Sequence, residues 1–145
     1  MPKELLVKII SKLKEPVVLM GGAMDADLAK ELIALSSNSI IKNACGGFNL
    51  SESASIVKQS KRLITNDTGM MHIATCFSVQ IDSVWGNTVP DLGMYPYYPN
   101  AKGKFSIHEV KGLNCRPCSK IGFQDCPKKH FDCMKKQNIQ EIVGE

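Results

Sequence analysis

No stretch of this sequence approaches the roughly 18 uninterrupted apolar residues that a membrane-spanning helix needs. Its opening residues, Met1-Pro2-Lys3-Glu4, lack the apolar block of a secretory signal. Internal repeats and low-complexity tracts are also missing, so neither a solenoid nor a disordered spacer fits. Cysteine is sparse along most of the chain: Cys45 and Cys76 sit in ordinary apolar segments, and the other four of the six cluster near the C-terminus. A secreted disulfide scaffold therefore fits less well than a reduced compartment, and a cytoplasmic location is expected.

What remains is one globular domain. A chain of 145 residues with 43% hydrophobic and 22% charged residues can bury a real core. Its +4 charge is uneven, because residues 111–136 hold Lys111, Arg116, Lys120, Lys128, Lys129, Lys135 and Lys136 against only Asp125 and Asp132. The positive field thus belongs to the tail, which suits an anionic glycolipid, an acidic membrane surface or nucleic acid, unless it is simply a solvated loop.

Apolar periodicity sets the order of elements. Leu5, Leu6, Ile9, Ile10 and Leu13 recur at helical spacing, predicting a helix over 3–14 that Pro16 ends. The run Val17-Val18-Leu19-Met20 before Gly21-Gly22 reads as a buried strand feeding a turn. A helix capped near Asp25 follows, with Leu28, Ala29, Leu32 and Ile33 on one face. Further strands are expected at 39–43, 62–65 and 79–85, with helices at 51–60 and 68–76 between them. Such alternation predicts an α/β fold with an open, doubly wound, mostly parallel sheet, Rossmann-like, over residues 1–110. Beyond Trp85 come an irregular Pro- and Tyr-rich segment, a last edge strand at 104–110, and a Cys-rich basic tail with a closing helix over 111–145, in the same domain.

The segment Leu63-Ile64-Thr65-Asn66-Asp67-Thr68-Gly69-Met70-Met71-His72 is the richest in chemistry. It reads as strand, tight turn and helix start, which puts Asp67, Thr68 and Gly69 at the carboxyl end of a parallel strand, where such sheets bind ligands. Asp67 could accept hydrogen bonds from sugar hydroxyls, while Thr68 and free first-turn amides could hold phosphate oxygens. The plainer reading is that Asp67 or Thr68 caps the helix and His72 is a packed, hydrogen-bonded histidine.

Asn66-Asp67-Thr68-Gly69 followed by Met71-His72 resembles the Asp-Thr/Ser-Gly-Pro-x-His motif of the lipopolysaccharide heptosyltransferases, glycosyltransferase family 9. Four other features fall in that family's order: Val18-Leu19-Met20-Gly21-Gly22, Asn49-Leu50-Ser51-Glu52, Trp85-Gly86-Asn87-Thr88, and the tail Cys115-x-Pro-Cys118, Cys126-Pro, Cys133-Met134. Met70 and Asn87 stand where the family has proline. The resemblance implies the C-terminal, donor-binding half of a GT-B glycosyltransferase that lacks its first strand. It also implies a nucleotide-sugar donor such as ADP-heptose, held by Asp67, Thr68, Gly69 and His72, with Gly22 and Asp25 near the nucleoside. The acceptor would be an anionic glycolipid, met by peripheral contact at the inner membrane, with no nucleic acid involved. No required cofactor is implied. The acceptor domain and its general base have no counterpart in these residues, so no catalytic residue is assigned.

The clustered cysteines follow the spacing C-x2-C-x7-C-x6-C. One C-x-x-C arm matches a zinc knuckle, so Cys115, Cys118, Cys126 and Cys133, with His130 as a substitute, form a candidate structural zinc set; reduced thiols and disulfides are the alternatives. A zinc-ribbon-like nucleic-acid module and a non-catalytic nucleotide-binding remnant stand as competing functions.

Overall fold

A computed structural model describes residues 1–98 and 103–144. Helix α1 (Lys3–Lys12) starts after Pro2, whose fixed φ suits a helix start, and buries Leu5, Ile9 and Ile10. Strand β1 (Val17–Leu19) leads through a 3-10 turn (Ala23–Asp25) into α2 (Ala26–Leu35), which buries Ala29 and Leu32. Strand β2 (Ile41–Asn43) lies parallel to β1. Helix α3 (Leu50–Gln59) opens with a capping box, the Asn49 side chain accepting from Glu52 N and the Glu52 carboxylate accepting from Asn49 N. Then come β3 (Arg62–Thr65), α4 (Gly69–Ala74), β4 (Gln80–Trp85) and β5 (Phe105–Glu109). Two short helices, α5 (Asp132–Lys135) and α6 (Ile139–Val143), close the chain.

Among the described residues every strand pairing is parallel, but the strands form two sheets, β1-β2 and β3-β4-β5, instead of the single continuous sheet expected of a doubly wound domain. Two hydrophobic cores lie on opposite faces of the second sheet, as the pleat of β4 requires. Ile81 and Trp85 face Val57 of α3 and Met71 and Ala74 of α4, whereas Val84 faces Leu5 and Ile9 of α1 and Cys133, Met134 and Ile142 of the tail. Burying tail residues in this core makes the tail part of the fold.

Beside Val84 on that face is a buried polar group. Asp82 is 3% exposed; its carboxylate accepts from Arg62 Nε at 2.6 Å and lies 2.8 Å from His108 Nε2. Burial alone would raise the Asp82 carboxyl, but the hydrogen bonds with His108 and Arg62, and then their charges, outweigh it and hold it below its ordinary value. Arg62 also donates to the carbonyls of Ile142 and Val143, satisfying the C-terminus of α6. One ion pair thus ties β3, β4, β5 and the last helix together.

Candidate functional site at the carboxyl end of the strands

Thr65 ends β3 and is buried, with its hydroxyl 3.0 Å from that of Thr68. The Asn66 side chain donates to Val84 O at 2.8 Å and accepts from the Met1 ammonium at 3.2 Å. These bonds pin the turn from below. Burial lowers the pKa of that ammonium. The motif reading assigns no role to Thr65 or Asn66, although the unbroken polar run Thr65-Asn66-Asp67-Thr68 after an apolar strand is an available signal.

Asp67, just before α4, and His72, within it, face each other, Oδ1 to Nε2 3.8 Å, with side chains 24% and 49% exposed. Thr68 occupies the N-cap position in extended backbone, yet no side chain caps the helix. The simple capping reading is therefore not realised: the Thr68 hydroxyl bonds to Thr65, and Asp67 and His72 meet only at long range. Gly69 is exposed, and a Cβ there would meet nothing within 4 Å, so the space before the turn is open. Helix α4 is only six residues long, so the site's polarity rests on these side chains and the turn more than on a helix dipole.

Gly22 and Asp25 lie apart from this group, at the carboxyl end of β1 in the other sheet. Asp25 acts locally, its carboxylate accepting from Gly22 N at 2.8 Å to close the 3-10 turn. The packing is tight, since a Cβ on Gly21 would come within 2.6 Å of that carboxylate. The structure thus gathers Asp67, Thr68, Gly69 and His72 and leaves Gly22 and Asp25 across the gap between the sheets.

The tail differs from its charge count. Arg116 does not belong to the surface field: its side chain is 6% exposed, pairs with Glu109 at 3.0 Å and donates to the carbonyls of Gly86, Val110 and Thr88. Buried, it anchors the tail to the loop after β4. The four clustered cysteines are free thiols. Cys133 is drawn into the core, the Cys118 thiol donates to Cys115 O at 3.2 Å, and Cys115 lies 3.8 Å from His130 Nε2. Among the described residues no three His, Cys, Asp or Glu side chains are arranged to hold a metal ion. Cys126 has a distinct setting: burial raises its pKa, but backbone N–H groups of Phe131, Lys128, His130 and Lys129 turn toward the sulfur and bring it below the ordinary thiol value. Burial pushes the Cys118 and Cys133 thiols up.

Surface hollows lined by Lys58, Cys76, Phe77 and Ser78, and by Tyr95–Tyr98 with Gly103 and Phe105, lie at the amino ends of the strands, away from Asp67. A hollow at that end lacks the position and the convergent polar groups of a ligand site in a parallel sheet.

Comparison with known proteins fits this placement. The family model "Glycosyltransferase family 9 (heptosyltransferase)" matches residues 4–122. Lipooligosaccharide heptosyltransferase 2 of Campylobacter jejuni serotype O:6 is 26% identical over 137 residues, covering 93% of this chain and 41% of that protein. Lipopolysaccharide heptosyltransferase 2 of Escherichia coli K12 is 28% identical over 79 residues, 52% of this chain and 23% of that one. Among solved structures, a family 9 glycosyl transferase from Veillonella parvula aligns over 99% of this chain and 40% of its own, with a TM-score of 0.74 and 20% identity. The E. coli ADP-heptose lps heptosyltransferase II aligns over 92% and 39%, with a TM-score of 0.58 and 22% identity. These two show the fold, and the chain spans about two-fifths of the length of the relatives that it matches from end to end. With its parallel α/β architecture and a family match over most of its residues, the chain belongs to glycosyltransferase family 9, the heptosyltransferase family.

Proposed function

We propose that residues 1–145 form the nucleotide-sugar-binding part of a heptosyltransferase-like enzyme that builds the core of lipopolysaccharide or lipooligosaccharide. The donor is a nucleotide-linked heptose such as ADP-heptose, and the acceptor an anionic glycolipid met at the cytoplasmic face of the membrane. Among the described residues no helix is long and apolar enough to cross a membrane, in keeping with peripheral contact. One observation carries the reading: at the carboxyl end of β3, Asp67, Thr68 and His72 surround an open turn, and no side chain is consumed in capping the helix that follows.

Sugar transfer breaks the bond between the anomeric carbon and the diphosphate while the acceptor hydroxyl, losing its proton to a base, bonds to that carbon. In this reading the Asp67 carboxylate accepts hydrogen bonds from sugar hydroxyls, and the Thr68 hydroxyl, turned away from Thr65, together with His72 Nε2 and the turn's N–H groups, donates to the diphosphate. Hydrogen bonds aimed at the departing diphosphate stabilise the charge that develops on it. No residue of this chain is assigned the role of base. The zinc-ribbon alternative draws no support from a tail whose Arg116 is buried.

Thermal denaturation with ADP-heptose, a UDP-sugar and free ADP tests the reading. A ligand present at 100 times its Kd stabilises by about 2.7 kcal/mol. The adenine-linked sugar should raise the Tm most; no shift with any of the three at millimolar concentration refutes the proposal.

A further inference from the structure

Between the first and second cysteine pairs the tail makes a turn that carries two apolar side chains into solvent. Ile121 is 88% exposed and Phe123 51%, on either side of Gly122. A single exposed apolar residue is ordinary on a protein surface; two on one turn beside lysines mark a contact surface.

The turn is braced at both ends by one residue. Cys118 N donates to Asn87 O at 2.8 Å, and the Asn87 side chain donates to Phe123 O at 2.5 Å. Between these points Ser119 Oγ donates to Gly122 O at 3.0 Å. Gly122 has φ +79°, and a Cβ there would lie 2.6 Å from Asn87 Oδ1, so only glycine lets the turn approach Asn87 this closely. A turn braced in this way has little freedom left to lose on docking. Asn87 follows β4, and β3 and β4 run parallel with Thr65 opposite Ser83, so the turn stands at the same end of the sheet as Asp67.

The surrounding charge identifies what the turn meets. Residues 119–130 hold Lys120, Lys128 and Lys129, all exposed, against Asp125 alone. Lys129 N donates to Cys126 O at 2.9 Å to close a second turn. Cys115 Sγ lies 3.8 Å from His130 Nε2, which draws this second turn against the segment that leads into the first. Other exposed apolar side chains lack this setting. Met24 is more exposed still, but Asp25 and Asp27 follow it, and an anionic surface repels them. Tyr95 and Tyr97 lie at the amino ends of the strands. A nucleic acid would satisfy the lysines but give Ile121 no apolar cover. A bilayer of anionic lipids supplies both, hydrocarbon for the apolar tips and headgroup phosphates for the ammonium groups.

We propose that the turn at residues 119–123 is a membrane-docking loop, in which Ile121 and Phe123 enter the acyl boundary of a bilayer while Lys120, Lys128 and Lys129 meet its anionic headgroups. Docking there turns the Asp67 end of the sheet toward the bilayer. Its role in bringing the chain to a membrane-bound acceptor rests on the function proposed above; the binding to lipid does not.

Co-sedimentation with vesicles tests it, using equal parts phosphatidylglycerol and phosphatidylcholine, then phosphatidylcholine alone, with no lipopolysaccharide or nucleotide sugar present. The chain should bind the anionic vesicles at least about tenfold more tightly than the neutral ones, and the difference should shrink with added salt. Ile121→Glu with Phe123→Ser should weaken binding at least about tenfold, as should Lys120→Gln with Lys128→Gln and Lys129→Gln. These side chains are exposed, so the variants should keep the wild-type Tm. Tyr97→Ser, at the other end of the sheet, should leave binding unchanged. As a second readout, the emission of Phe123→Trp should shift to the blue with anionic vesicles. No binding to the anionic vesicles, equal binding by wild type and the Ile121/Phe123 variant, or a loss caused by Tyr97→Ser overturns the proposal. Vesicle binding by a chain that ADP-heptose does not stabilise would refute the donor reading and leave the loop standing; stabilisation without vesicle binding would do the reverse.

Discussion

Replacing Asp82 with asparagine probes the ion pair that ties β3, β4, β5 and α6 together. The wild-type carboxylate is 3% exposed and serves Arg62 at 2.6 Å and His108 at 2.8 Å. Removing one partner of a buried pair costs roughly 3–5 kcal/mol because the other charge is left uncompensated. Arg62 is 27% exposed and keeps its carbonyl partners on α6, and asparagine can still accept a hydrogen bond, so the low end applies, about 3 kcal/mol. At about 3 °C per kcal/mol for a domain of this size, Asp82→Asn should lower the Tm by about 9 °C at pH 7. The folded-state pKa of Asp82 is depressed below 3.8, so the carboxylate's stabilisation is fully present above that value and is lost as pH falls through the folded-state pKa. The carboxylate's own share of the difference between wild type and variant should therefore persist down to about pH 4 and be lost below it. Urea denaturation across pH measures this. A loss under about 1 kcal/mol at pH 7, or a gap that fails to shrink below about pH 4, would refute the reasoning.

Arg116→Ala should cost about 4 kcal/mol, because Glu109 and three carbonyls lose a desolvated donor, and limited proteolysis should then cut within residues 111–136 before the sheets unfold. Iodoacetamide at neutral pH should label Cys126 well ahead of Cys118 and Cys133 in a peptide-mass time course, since backbone amides favour the Cys126 thiolate while burial disfavours the other two. Gly46→Ala should lower stability by about 2 kcal/mol in chemical denaturation, because Gly46 has φ +70° and its new Cβ would sit 2.8 Å from Ala23 Cα.

Much of the fold was legible because its signals are local. The 3.6-residue recurrence of Leu5, Ile9 and Ile10, the apolar run Val17-Val18-Leu19-Met20 and the strand expected at 79–85 place α1, β1 and β4 within a residue or two. The lone aspartate in Ile81-Asp82-Ser83-Val84-Trp85 was visible, but its partners lie 20 and 26 residues away, so its pairing was not. Distance in sequence also hid the fate of Arg116, whose acceptors are 28 and 30 residues upstream; a charge count reads it as surface field. Helix α5 is four residues long and starts from Phe131 in left-handed backbone, too short for any periodicity. At the site, the residue types and order pointed to Asp67, Thr68 and His72, whereas the bracing by Thr65 and Asn66 depends on Val84 and Met1, which only the fold brings near. The same holds for Asp25, whose hydrogen bond to Gly22 N marks it as a turn residue first.

The most direct test of the donor site is calorimetric titration of ADP-heptose into the wild-type chain and into Asp67→Ala. Among the described residues the ion pair of Asp67, to His72, is long and partly exposed, so the variant should keep the wild-type Tm within about 2 °C. Its affinity should fall at least about tenfold, the loss of one good hydrogen bond to a charged group. Equal affinity in the two proteins would contradict the account.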